Sequence, residues 1–253
     1  MTQLPLDGVL LLAACLLAFV LVQRWLHREL QAVFLLLTRR PVSALGLFSL
    51  LFFPGVLLHE MSHYIMARLL GVRTGRLSLF PKVLANGTLR LGFVETAATD
   101  PLRDTLIGAA PLISGMAVVS YLGFKPLGIL PLTNLLLATD WTAFWSEAAQ
   151  LPSRPDFWLW FYLAFAVSST MLPSASDRRA WWSVALVFGI VLVVAILPGV
   201  SSWMLENLAS PVNRGLRTLA VLFAASGIIH LVLAPPAWLA KILLSRITGL
   251  RVV

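Results

Sequence analysis

The segment Pro54–Gly71, PGVLLHEMSHYIMARLLG, sets His59, Glu60 and His63 into a run that is otherwise apolar. Residues four apart share a helix face, so His59 and His63 can offer two imidazoles to one Zn²⁺ while Glu60 lies beside it as general base. Burying two His and a Glu in hydrocarbon costs free energy that a fold rarely sustains without a use. The competing reading makes them polar side chains satisfied inside a helix bundle.

Composition identifies the solvent. Hydrophobic residues are 59% and charged residues 12% of the 253-residue chain, and mean hydropathy is +0.88. These values predict an all-α polytopic membrane protein. The length accommodates about six transmembrane helices in a single domain, with no room for a separate soluble one. The net charge of +8 is scattered between apolar runs, not gathered on a stripe. That pattern suits anchoring to lipid headgroups and excludes nucleic acid as partner. Cys15 is the only cysteine, so no intrachain disulfide forms. Leu12-Ala13-Ala14-Cys15 resembles a lipoprotein cleavage box, but no Lys or Arg precedes it and Asp7 does, so a retained membrane helix is expected.

The expected spans cover residues 9–22, 44–70, 105–123, 157–173, 181–198 and 216–234. The first ends at Arg24, Trp25, His27 and Arg28, an edge typical of headgroup level, which makes His27 an interfacial residue. Residues 29–40 read as a helix extension or an interfacial turn. The second span carries the His/Glu motif and should kink or loosen at Pro54. After it, residues 76–94 alternate around Asn86-Gly87, the signature of a β-hairpin with a type I′ turn. The hairpin is either a connector or a strand that pairs with an extended substrate backbone; an edge beside a membrane, which leaves backbone groups unpaired, favours the second. In the third span, Gly108–Gly115 (GAAPLISG) allows close helix packing or lines a cleft. Pro173 breaks the fourth span and Asp177 follows it, beside Arg178 and Arg179. Asp177 is either a loop carboxylate paired with those arginines or the third metal ligand, since a catalytic zinc takes three protein ligands and leaves one position open. His230 in the last span reads as a hydrogen-bonded packing residue, and the basic tail after Pro235-Pro236 as an amphipathic helix on the membrane surface. A small Lys/Arg excess places both termini, the hairpin and Asp177 on the cytoplasmic side.

The HEMSH helix, the following hairpin and the later Asp together resemble the site-2 protease family of intramembrane zinc metalloproteases, over roughly residues 59–177. The resemblance implies zinc on His59, His63 and Asp177, Glu60 as catalytic base, and a bacterial or archaeal inner-membrane location. It further implies cleavage of a peptide bond in or near a transmembrane segment of another membrane protein, such as a single-pass regulator. Thr170 stands where the family often has Asn before Pro173, the spacing from Pro173 to Asp177 is one residue short, and Arg178 replaces Gly. Ala109-Ala110-Pro111-Leu112-Ile113-Ser114 resembles the family's Ala-Gly-Pro-Xaa-Xaa-Asn, so Pro111, Ser114 and Thr170 are the expected substrate-positioning residues of a divergent member. Two alternatives stand beside this one. Glu95, Glu147 or Glu206 could replace Asp177 as ligand, or the chain could be a non-proteolytic zinc-binding scaffold or pseudoprotease.

Overall fold

The computed structural model describes residues 7–79, 82–83, 89–90, 92–195 and 201–250. Among the described residues the regular structure is helical apart from two short antiparallel strand pairs. Three helices are individually long and apolar enough to cross a bilayer: α1 (Asp7–Thr38), α4 (Pro101–Phe124) and α10 (Ala209–Thr248). The bent pair α2 (Pro41–Leu51) and α3 (Phe53–Leu69) makes a fourth crossing if it counts as one span. Shorter helices complete the set: α5 (Leu130–Leu137), α6 (Trp141–Gln150), α7 (Phe157–Thr170), α8 (Trp181–Ala195) and α9 (Ser201–Asn207).

Three of the expected spans are drawn differently. Residues 29–38 continue α1 without a turn. Residues 44–70 are not one kinked helix but two helices meeting at 71°. Phe52 joins them at φ −97°, ψ 6°. The cause is Pro54, which has no N–H to give the Leu50 carbonyl, so the α-helical ladder stops and restarts. Pro235 and Pro236 do not end the last span, because α10 passes through them for 40 residues in all. Proline is tolerated there because neighbouring helices hold the segment: Ala234 and Ala237 are buried with Leu26 and Phe48, and Lys241 meets the buried Glu29 at 2.5 Å. The basic tail is therefore docked on α1 and does not lie free along a membrane surface.

Contacts fix the direction of each helix. Gly8 donates its N–H to Asn213 (2.9 Å), Phe19 packs on Phe223 (5.8 Å between ring centroids), and Glu29 pairs with Lys241, so α1 and α10 run parallel. Parallel helices put residues 7 and 209 at one end of the pair and residues 38 and 248 at the other. The charge count suggested both termini on one side; residues 7 and 248, the described limits of the pair, lie at opposite ends of it. Along α7, Tyr162 bonds the Leu51 carbonyl (3.0 Å), Gly55 abuts Ala166, and His59 bonds the Thr170 carbonyl (2.7 Å), so α3 and α7 run together. Gly115 abuts Met171 while Leu122 clusters with Ala164, so α4 runs opposite to α7. The end of α3, the start of α4 and the end of α7 thus meet at one end of the bundle.

The strands lie at this end. β1 (Thr74–Ser78) pairs antiparallel with β4 (Phe93–Thr96), with Leu77 opposite Val94, and β2 (Lys82–Val83) pairs with β3 (Leu89–Arg90). This is the antiparallel arrangement expected of residues 76–94; the Asn86-Gly87 turn lies outside the described residues, as do residues 196–198 of the expected fifth span.

Candidate metal centre

His59 and His63 stand one turn apart on α3, and each ring is held at its Nδ1. His59 Nδ1 bonds the Thr170 carbonyl (2.7 Å) and His63 Nδ1 bonds the Ile107 carbonyl (2.8 Å). A carbonyl only accepts, so each Nδ1 carries the proton and each Nε2 presents its lone pair. Those two Nε2 atoms face one another at 3.2 Å. Asp177 closes the group, with Oδ1 3.4 Å from His63 Nε2 and Oδ2 3.7 Å from His59 Nε2. Two lone pairs and a carboxylate converging on one point repel unless a cation lies between them. A tetrahedral ion with ligands at about 2.0–2.1 Å separates its donor atoms by about 3.3 Å. The observed spacings fit that geometry, and among the described residues His59, His63 and Asp177 form the group that could hold a metal ion.

Asp177 reaches the group because its loop is braced. Ser174 N–H donates to Asp177 Oδ2 (2.7 Å) and the Asp177 N–H donates to Ser174 Oγ (3.3 Å). The neighbouring arginines are used elsewhere. Arg179 makes a bidentate pair with Asp104 on α4 (2.9 and 3.1 Å), and Arg178 Nε donates to the Ser174 carbonyl (3.2 Å). Burial works against ionisation of Asp177, while hydrogen bonds from Ser174 favour the charged form, and the balance holds the carboxyl below the usual carboxylate range. It is therefore ionised at neutral pH, as a ligand must be.

Glycines set the approach of the elements. A side chain at Gly108 would strike the Asp177 carbonyl, and one at Gly55 would strike the Ala166 carbonyl and Thr170 Oγ1. A Cβ at Gly92, beside β4, would lie 2.8 Å from Glu60 Cγ. Glu60 is buried, at 7% exposure, and lines the same cavity as the three ligands. That cavity has a volume of about 790 Å³ and is also walled by Val94 and Thr96 of β4.

The other expected site residues are placed as follows. Thr170 lines the cavity, but its hydroxyl bonds its own helix at Ala166 (3.2 Å) and its carbonyl holds His59. Ser114 bonds Ser62 across α3 and α4 (2.6 Å), and Pro111 is fully buried; neither is among the cavity-lining residues. The stretch 108–115 thus serves packing, seats the Asp177 loop and, at Gly108, lines the cavity. Of the rival ligands, Glu95 accepts from the Arg76 N–H (3.2 Å) and Glu147 pairs with Arg154 (2.5 Å). Glu206 lies on α9 and is likewise outside the metal-holding group. His230 is the packing residue expected, bonded to Ser226 O and Ser169 Oγ (both 2.8 Å). His27 is not interfacial: it lines the cavity and packs on Phe48 and Phe52. Sequence reading missed it because Arg24 and Arg28 flank it on α1, a pattern shared with headgroup anchors. Gly55 and Gly92 carry no local signal at all.

No family model, curated protein or solved structure matches this chain.

Proposed function

We propose that the protein is an intramembrane zinc metalloprotease, hydrolysing a peptide bond in or near a membrane-spanning segment of another protein. The observation that carries this reading is the pair of Nε2 atoms 3.2 Å apart, closed by Asp177, with Glu60 adjoining on the same helix. Three ligands and a general base are what a catalytic zinc requires, whereas a structural zinc takes a fourth protein ligand and needs no base. Zinc held by His59, His63 and Asp177 supplies Lewis acidity, which acidifies water and polarises a scissile carbonyl. Glu60 accepts the proton of the attacking water and delivers it to the leaving amine. The Thr170 and Ile107 carbonyls keep both imidazoles in the ligating tautomer throughout. A substrate helix must unwind before its carbonyls are accessible, and β4 along the cavity wall supplies a backbone against which an extended segment can lie.

The membrane reading follows from the helix directions. α1, α4 and α10 cross from the metal end to the far end, and α2–α3 and α7 cross back. α10 starts at the metal end again, so α8 and α9 make an excursion from that end and return to it. With α7 counted, this makes five crossings among the described residues, where the sequence suggested about six; three helices, or four with the bent pair, are long and apolar enough by themselves. Arg73, Arg76, Arg103, Arg178, Arg214 and Arg217 lie at the metal end and Arg39, Arg40, Lys125, Arg154, Lys241 and Arg246 at the far end, so basic residues flank both ends of the bundle as headgroup anchors of a bacterial or archaeal inner membrane.

Glu60→Gln tests the mechanism. Zinc content by atomic absorption should stay at the wild-type level while cleavage of membrane peptides falls about 10²–10⁴-fold. Unchanged cleavage would remove Glu60 from the chemistry, and no cleavage by the wild-type protein would favour the zinc-binding scaffold.

A further inference from the structure

The first turns of α4 meet the metal group at three points. The Ile107 carbonyl accepts from His63 Nδ1, Gly108 leaves room for the Asp177 carbonyl, and Asp104 takes the Arg179 guanidinium. Positions i, i+3 and i+4 share a helix face, so one face of α4 fixes a ligand ring, a ligand backbone and a cation two residues beyond that ligand. The first two contacts bear on ligands directly, whereas Asp104 acts on a residue that is not a ligand.

The Arg179 side chain is 65% exposed, and an ion pair so open to solvent adds little to the stability of the fold. Its consequence is direction. Arg179 Nε and Nη2 donate to the two Asp104 oxygens at 2.9 and 3.1 Å, which commits the fork of the guanidinium to one carboxylate. A second carboxylate is close by. Asp177 precedes Arg179 by two residues in the same loop, and Asp104, Asp177 and Arg179 all line one cavity. A guanidinium matches the carboxylate of Asp177 as well as it matches that of Asp104. Seated on Asp177, it would occupy the oxygens that lie 3.4 Å from His63 Nε2 and 3.7 Å from His59 Nε2, and would compete with a metal ion for them. Arg178 is held apart from this competition, because its Nε donates to the Ser174 carbonyl of its own loop (3.2 Å).

We propose that Asp104 is a positioning residue of the metal centre: it sequesters Arg179, so that the Asp177 carboxylate stays free for the ion. This rests on the zinc part of the reading above and not on its proteolytic part.

The zinc affinity of the full-length protein in detergent, measured by chelator competition, tests it without reference to cleavage. Asp104→Asn should bind zinc about 10–100-fold more weakly than wild type, as expected on losing a group outside the ligand shell that keeps a ligand in place. Removing the released cation should undo that loss. Asp104→Asn/Arg179→Gln and Arg179→Gln alone should both lie within about threefold of wild type, whereas Asp104→Asn/Arg178→Gln should be as weak as Asp104→Asn. The double variant carries the same change at Asp104, so its recovery could not come from a fold that Asp104→Asn had destroyed. A pair that merely strapped the loop to α4 would weaken zinc equally in both single variants and no less in the double. That pattern overturns the proposal, as does wild-type affinity in Asp104→Asn; either result beside tight binding by the wild type leaves the metal reading standing. A wild type that binds no zinc sinks the metal reading and this proposal with it.

Discussion

Two pairs of histidines occupy the helical core, and they differ in everything except residue type. His59 and His63 have each Nδ1 tied to a backbone carbonyl from another helix, which leaves both Nε2 lone pairs converging at 3.2 Å on a carboxylate. His27 and His230 lie 6.3 Å apart between ring centroids, among Phe19, Phe48, Phe52 and Phe165. His230 spends both nitrogens on serine partners, and no acid joins the pair. The contrast teaches that the geometry a metal centre needs is made by what holds the far side of each imidazole. Helical histidines alone are not enough: tautomer, direction and a nearby anion decide.

The contrast breaks most visibly on metal content. His59→Ala should bring zinc to background by atomic absorption, because two remaining ligands cannot hold an ion against water. His230→Phe should leave a full equivalent bound. Equal loss in both variants would mean that the two pairs form one site. A smaller effect follows from Gly108→Ala, which adds a methyl group where the Asp177 carbonyl now rests. Displacing that loop should weaken zinc affinity by about 10–100-fold in a chelator competition, the range for losing a group that orients a ligand. Unchanged affinity would show that the loop accommodates the methyl group without moving Asp177.

Stability sharpens the other half of the comparison. Lys241→Met leaves Glu29, which is 1% exposed, with only its 3.5 Å pair to Arg28, and should cost about 3 kcal/mol in thermal or denaturant unfolding while zinc content stays constant. His230→Phe removes the partner of Ser169 Oγ and should cost about 1–3 kcal/mol. A stability change in either variant that tracked metal loss would tie the α1–α10 seam to the metal centre.

The motif was legible because it is local. His59 and His63 share a helix face by the 3.6-residue period, whatever surrounds them, and Glu60 adjoins them by chain connectivity. Asp177 was legible as one of two readings. That it faces the imidazoles and not the arginines depended on Asp104, a residue from another helix that engages Arg179. The break at Phe52 was half legible, since Pro54 marks a lost hydrogen bond but says nothing of how far the axis turns. The course of α10 was misread because two prolines end most helices in water, and only the docking of Ala234, Ala237 and Lys241 on α1 keeps this one whole.

The sequence by itself determined that this chain forms apolar helices long enough to cross a membrane and that two imidazoles and a carboxylate lie together on one helix, because composition and helical period act over short range. Only the tertiary structure decided which atoms of those imidazoles face inward, which distant acid joins them, and which way α1 and α10 run. Those outcomes depend on carbonyls, glycines and ion pairs contributed by segments tens to hundreds of residues away, whose meeting no local period encodes.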